Sequence, residues 1–301
     1  MLCGRAFIGS FLGGTAVFAL SAAAAPALPP SGIADLVFQS ARTGSSDIYL
    51  GNVDGKIVQR LTSDNAFDGT PAWSAGSGTQ IVFESRRDGN TEVYVMRFDG
   101  LQQRRLTRNR AFDGYPAWSR DGASLTFESS RNGNVEVYVM KADGTRQRRL
   151  TRNRAFDGYP AWSPGGKKIA FTSTRSGNAE IYVMSTSGAA VTRLTDSPGF
   201  DGFAVWSPDG TKIAFDSSRG GNADVYVMNA EGSGVTRLTT AAGFDGYPSW
   251  SRDGKRIAFT STRDGNAEVY VMNAGGSGQQ RVTQSPGFDG HPSWSPIPAT
   301  G

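Results

Sequence analysis

The chain has 301 residues, 38% of them hydrophobic, and a formal net charge of +4. That length and apolar content suffice for a packed core, and a mild, dispersed positive charge argues against a nucleic-acid partner. The single cysteine, Cys3, excludes a disulfide framework, and 39 glycines point to a fold rich in tight turns.

Residues 1–25 differ from the rest. Arg5 supplies a short positive region, Phe7 to Leu20 form an apolar run, and Ala22 to Ala25 offer A-x-A cleavage sites. This pattern predicts a secretory signal peptide. An uncleaved membrane anchor is the alternative, but the run is shorter than the roughly 20 apolar residues a bilayer span needs. Cys3 precedes the apolar run, so it is not placed like a lipoprotein acylation site. The Pro-rich residues 26–33 are expected to be a linker. The expected location is the periplasm or the exterior, with no membrane span after cleavage.

From residue 34 the text becomes strand-like and repeats. Trp73, Trp118, Trp162, Trp206, Trp250 and Trp294 lie 45, 44, 44, 44 and 44 residues apart, and they are all the tryptophans of the chain. A period of roughly 20–50 residues marks a repeat architecture, and one near 44 with strand content marks a β-propeller. One unit runs as follows. Phe203 to Ser207 is a first strand and Pro208-Asp209-Gly210 a turn. Lys212 to Ser217 is a second strand and Ala223 to Asn229, rich in β-branched and aromatic residues, a third. Val235 to Thr239 is a fourth. Four antiparallel strands make one blade.

The copies do not start and stop in phase with a blade. Residues 36–40, 46–52 and 57–62 supply a second, third and fourth strand, and the matching first strand comes only at Phe288 to Pro296. The prediction is an all-β, six-bladed β-propeller over residues 34–296, closed by strands from both termini, with residues 297–301 as a tail. Closure leaves no sheet edge at the seam. The six tryptophans are expected to fill the wedges between blades as core.

Two groups recur where loops meet on one rim. The first is F-D-G, with Asp68, Asp113, Asp157, Asp201, Asp245 and Asp289; the second is R-x-G-N/S, with Arg42, Arg87, Arg131, Arg175, Arg219 and Arg263. An Asp before Gly caps a tight turn, and an Arg can tie it to the next loop. The other use of such a ring is to face a partner. The D-G-N-x-E of Asp88–Glu92 and Asp264–Glu268 resembles the start of a calcium loop but lacks the later ligands, and calcium takes about six to eight oxygens. No metal or other cofactor is expected.

Specificity is expected where the copies disagree. Arg108, Arg110, Arg152 and Arg154 gather before two adjacent F-D-G motifs, with Arg104, Arg105, Arg148 and Arg149 upstream. The residue after F-D-G is Thr70, Tyr115, Tyr159, Phe203, Tyr247 or His291. A basic sector beside aromatics suits an acidic peptide, a protein surface or an acidic glycan. The candidate partner-binding set is therefore the six aspartates, these four arginines, Tyr115, Tyr159, Tyr247 and His291. Enzyme motifs such as G-x-S-x-G and H-E-x-x-H are absent, and His291 is the one histidine. Arg neighbours are expected to keep the Asp ring ionised and so unsuited to general-acid work.

The unit W-S-P-D-G-T-K-I-A-F-D-S-S-R-G-G-N-A-D-V-Y-V-M-N-A-E-G-S-G-V-T-R-L-T, Trp206 to Thr239, closely resembles the TolB-family propeller repeat. The resemblance implies a TolB-like propeller without the α/β domain that precedes it in that family. It also implies that the F-D-G face binds a peptidoglycan-associated lipoprotein; with the enzyme motifs missing, the expected protein is a non-catalytic monomer that binds a protein or cell-envelope component there. A carbohydrate-binding or polysaccharide-lyase-type propeller is the alternative. Similar repeats form the gating propellers of prolyl-oligopeptidase-type peptidases, whose hydrolase domain has no counterpart here.

Overall fold

The computed structural model describes residues 34–75 and 78–296. The expected signal peptide, linker and C-terminal tail lie outside these residues. Among the described residues, 24 strands form six four-stranded antiparallel sheets with no helix. The chain is a six-bladed β-propeller. No helix among the described residues is long and apolar enough to cross a membrane.

In the unit read above, the inner strand is Asp201–Trp206, the second Lys212–Ser217, the third Asp224–Asn229 and the outer Thr236–Arg237. The outer strand is shorter than the residues 235–239 expected, for a local reason. At its end the Thr239 hydroxyl accepts the Val225 N–H at 3.0 Å, so a side chain stands in for the next ladder carbonyl. The same Thr-for-backbone exchange occurs in every blade, through Thr62, Thr107, Thr151, Thr195 and Thr283. This accounts for the recurring threonine at the end of each unit.

The ring closes as the phase of the repeats predicts. Asp289–Trp294 is the inner strand of the blade whose second strand is Leu36–Thr43. Leu36 pairs with Trp294 and Ser40 with Asp289, and Ala41 N–H donates to Phe288 O at 2.7 Å.

Each inner strand carries a β-bulge. In Asp157–Trp162 the register jumps between Gly158 and Ala161, so Tyr159 and Pro160 together face one residue of the second strand. Proline has no N–H to give the ladder, which makes it suited to this point. The bulged residue is left-handed in every blade: Thr70, Tyr115, Tyr159, Phe203, Tyr247 and His291 have φ between 46° and 54°. A non-glycine there costs on the order of 1–3 kcal/mol, and the bulge re-aims its side chain. The preceding glycine is required by close approach. A Cβ on Gly114 would lie 2.5 Å from the Phe112 ring and 2.3 Å from a Glu84 carboxylate oxygen.

The core lies between blades. Phe38, Phe83, Phe127, Phe171, Phe215 and Phe259 of the second strands are fully buried, and the third-strand tyrosines pack on them with ring centroids such as 5.5 Å for Phe127–Tyr138. Clusters cross blade boundaries: Val82, Val93 and Val95 of one blade pack with Leu125, Phe127 and Met140 of the next.

Candidate functional site

The bulges put one side chain from each blade at the mouth of the central channel. Five are aromatic and form a collar. Tyr159 stacks on Phe203 and Tyr247 on His291, both with centroids 3.8 Å apart. Tyr115–Tyr159 and Phe203–Tyr247 meet edge-on at 4.7 Å. Tyr115 and His291 close the circle at 6.3 Å, across the blade where Thr70 stands in place of an aromatic. Beneath the collar lies a cavity of about 200 Å³ bounded by prolines and by Ala72, Ala117 and Ala161. Burial pulls the His291 imidazole down to about 4, so it is neutral at pH 7. Burial, reinforced by Asp216, pushes the Tyr247 phenol up to about 12.

A clasp from the preceding blade holds five of the six bulges, all but that of Phe203. Tyr115 N–H donates to Glu84 at 3.1 Å, Tyr159 N–H to Glu128 at 2.5 Å and Tyr247 N–H to Asp216 at 2.9 Å. Thr70 N–H donates to Gln39 at 3.2 Å and His291 N–H to Thr260 at 3.0 Å. The three acids are nearly inaccessible and form no salt bridge among the described residues. Burial raises Glu128 and Asp216 well above the usual carboxyl range, and raises Glu84 to about 7 against the opposing Tyr115 N–H bond and Arg86 charge. Such shifts mark candidate acids in general. These carboxyls sit behind the collar and are spent on backbone N–H groups, which is a positioning task.

The sign of the Glu84 effect follows from linkage. Between about 4.5 and 7 the unfolded chain has lost the proton that the folded chain keeps. Stability therefore falls as pH rises through that window, and the full cost stands above pH 7. Gln39 shows that a neutral amide can make the same clasp. Glu84→Gln is expected to raise unfolding free energy at pH 8 by on the order of 1–3 kcal/mol and by clearly less at pH 5. Urea unfolding at the two pH values measures this. An equal gain at both, or a loss at pH 8, contradicts the assignment.

The Asp ring requires a correction. Asp68, Asp113, Asp157, Asp201, Asp245 and Asp289 are all fully buried, so none presents its carboxylate to a partner. Each is ion-paired, to Arg87, Arg131, Arg175, Arg219, Arg263 and Arg42 in turn, at 2.6–2.8 Å. Each of these guanidiniums also lies over the ring of its blade's third-strand tyrosine, at about 5 Å. The ring is scaffold. Burial raises Asp68, Asp113, Asp201 and Asp289, against the lowering effect of the arginine beside each.

The calcium-like D-G-N-x-E segments are likewise occupied by the chain itself. Glu92 accepts from the Thr107 hydroxyl at 2.5 Å, Asn109 N–H at 3.0 Å, Asn90 at 3.0 Å and Arg105 at 2.6 Å. Asn90 also ties down the next loop through the carbonyls of Asn109 and Ala111, and Asn134 does the same with Asn153 and Ala155.

Those loops carry the basic sector. Arg108, Arg110, Arg152 and Arg154 are exposed, and among the described residues none of them forms an ion pair or hydrogen bond. The upstream arginines are engaged. Arg105 and Arg149 pair with Glu92 and Glu136, while Arg104 and Arg148 donate to the carbonyls of Asp143 and Ser187. The free charge at this rim is therefore concentrated on two adjacent blade junctions. A groove of about 420 Å³ beside Arg148, Arg152 and Arg175 runs outward from it.

The family profile described as TolB beta propeller domain matches the chain in five overlapping stretches, residues 16–112, 75–158, 109–199, 150–255 and 195–299. The chain belongs to the TolB beta propeller domain family. Among solved structures, TolB from Acinetobacter baumannii is similar at a TM-score of 0.78 and 23% identity, covering 89% of this chain and 68% of that one. A putative TolB from Agrobacterium tumefaciens is similar at 0.71 and 23%, covering 88% and 95%. Kuenenia stuttgartiensis hydrazine synthase is similar at 0.72 and 17%, covering 90% of this chain and 48% of that one. At these identities the likeness is one of fold, and the fold is shared by binders and by parts of enzymes. No match is found among curated proteins.

The far end of this TolB-like propeller differs from the expectation drawn from the repeats. The six tryptophans end the inner strands and together line a well of about 270 Å³ at the mouth opposite the collar. They do pack on the interblade clusters, as Trp73, Trp118 and Trp294 show. They are also channel wall, because the inner strands surround the central channel of a propeller. Past them stand Arg120 and Arg252, both exposed. A waist of Val205, Ser249 and Ser293 is shared by the well and the cavity under the collar.

Proposed function

We propose that this chain is a non-catalytic, exported propeller that holds a protein or cell-envelope partner on its F-D-G face. The observation that carries the proposal is the set of four free, exposed arginines beside a rigid aromatic mouth. The loops bearing them are tied down by Asn90 and Asn134, so little ordering cost opposes binding. Clustered positive charge selects an acidic segment and speeds its encounter, and the collar gives apolar contact at the centre. The TolB membership makes a peptidoglycan-associated lipoprotein the first partner to try. The partner-contacting set is Arg108, Arg110, Arg152, Arg154, Tyr115, Tyr159, Tyr247 and His291; the six aspartates support it from below.

Reversing all four arginines to glutamate is expected to abolish capture in crosslinking pull-downs from envelope extracts while the melting temperature stays within a few degrees. Capture by the wild type should also weaken with rising salt. Unchanged capture by the fourfold variant rejects the proposal.

A further inference from the structure

We infer that the tryptophan-lined well at the opposite end of the channel is a second binding site, for the terminal residue of an acidic, uronate-containing oligosaccharide. The well has three chemical features. Six indoles surround one lumen, about 270 Å³ in volume, just below the roughly 300 Å³ from which small-molecule sites begin. That admits one sugar-sized ring and little more. The half-buried indoles of Trp162, Trp206 and Trp250 offer apolar surface to the C–H face of a pyranose, while Trp73, Trp118 and Trp294 are buried behind the wall.

Its charge is positive and placed on opposite sides. Arg120 and Arg252 sit at equivalent positions three blades apart in a six-bladed ring, so they face one another across the mouth. Arg252 spends one N–H on Pro296 O at 2.5 Å, and Arg120 has no partner among the described residues. Guanidinium is the side chain best matched to a carboxylate. Exposed Lys167 and Lys255 lie on the turns that follow the tryptophans, Lys168 and Lys212 open the next strands, and all four would meet further anionic residues of an oligomer. The acids on these turns, Asp121, Asp209 and Asp253, are committed to serine hydroxyls and backbone N–H groups of their own turns.

The floor is polar on one side only. Ser249 Oγ accepts the backbone N–H of Trp294 and Ser293 Oγ that of Trp73, each at 3.3 Å, which leaves both hydroxyl protons free to donate. The equivalent residues across the waist are Ala117, Ala161 and Val205. A ring with one hydroxyl-bearing edge and one apolar face matches that asymmetry.

This site is separate from the F-D-G face and is tested separately. Because every tryptophan of the chain lines the well, intrinsic fluorescence reports on it directly. Trigalacturonate is expected to produce a saturable change in emission. Its fully methyl-esterified form, the same ring without the charge, is expected to bind about tenfold or more weakly. Arg120→Gln combined with Arg252→Gln should weaken trigalacturonate by about tenfold or more and remove the preference over the ester. Arg108→Glu with Arg152→Glu should leave both titrations unchanged. No saturable change with trigalacturonate, equal affinity for the ester, or insensitivity to the Arg120/Arg252 pair overturns the assignment. A triglutamate peptide binding as tightly as trigalacturonate overturns the saccharide class.

Discussion

A chain truncated after Gly287 is expected to yield no stable monomer. The truncation removes Asp289–Trp294, the inner strand of the blade that begins at Leu36–Thr43. It strips Leu36 and Val37, both fully buried, of their paired residues Trp294 and Ser293, and Gln39 and Ser40 of Gly290 and Asp289. It also removes Trp294 from a cluster in which Leu36, Phe38 and Tyr49 meet Ala258, Val269 and Val271 of the blade before. One deletion thus opens an edge strand and splits the interface at the seam. The loss is comparable with the whole stability of about 5–15 kcal/mol that keeps a domain folded. Exposed edges pair with one another, so soluble oligomers or aggregates should replace the monomer on size exclusion with light scattering. Adding a synthetic peptide of residues 288–296 should restore some monomer. A truncated protein that stays monomeric with an unchanged melting curve would falsify strand closure as the source of stability.

The second large effect concerns the buried ion pairs, and it is asymmetric. Asp113 is fully buried and Arg131 is 23% exposed, with 2.6 Å between them. Arg131 also donates to Ser129 Oγ at 2.8 Å and to Gln147 at 2.7 Å, and lies 4.8 Å from the centre of the Tyr138 ring. Arg131→Leu leaves a carboxylate buried without its counter-ion and should cost about 3–5 kcal/mol. Asp113→Asn keeps an acceptor for a guanidinium that can also reach water, and should cost about 1–2 kcal/mol. Combining the two should cost clearly less than their sum. Denaturant unfolding of the four proteins measures all three values. Equal costs for the single variants, or simple additivity, would show that the pair is not a unit. The same logic applies at six positions in the ring, which explains why these charges repeat with the fold while the exposed arginines do not.

Much of this was legible from short-range text. The blade count, the strand order and the crossing of the seam follow from a period and from turn residues, both of which act within one unit. Asp and Arg were readable as partners, because their loops must emerge on the same end of a blade. Their depth was not. Asp113 looks like a rim charge until the neighbouring blade covers it. The lumen-facing role of the tryptophans was hidden for a similar reason: one aromatic per repeat is what both a core and a channel wall require. Glu84, Glu128 and Asp216 escaped notice because their positions hold Gln39, Thr172 and Thr260 in the other copies, so no repeated letter flagged them. The signal available was spacing: each lies 31 residues before the bulge it holds.

The sequence by itself determined a six-bladed propeller of TolB type, closed by strands from both termini. Those depend on local turn chemistry, strand alternation and a count. Only the tertiary structure decided which charges are buried, which aromatics line the channel, and that left-handed bulges aim five rings into one mouth. Those outcomes depend on how one blade covers the next. Contacts across a blade boundary join residues whose pairing no single repeat contains.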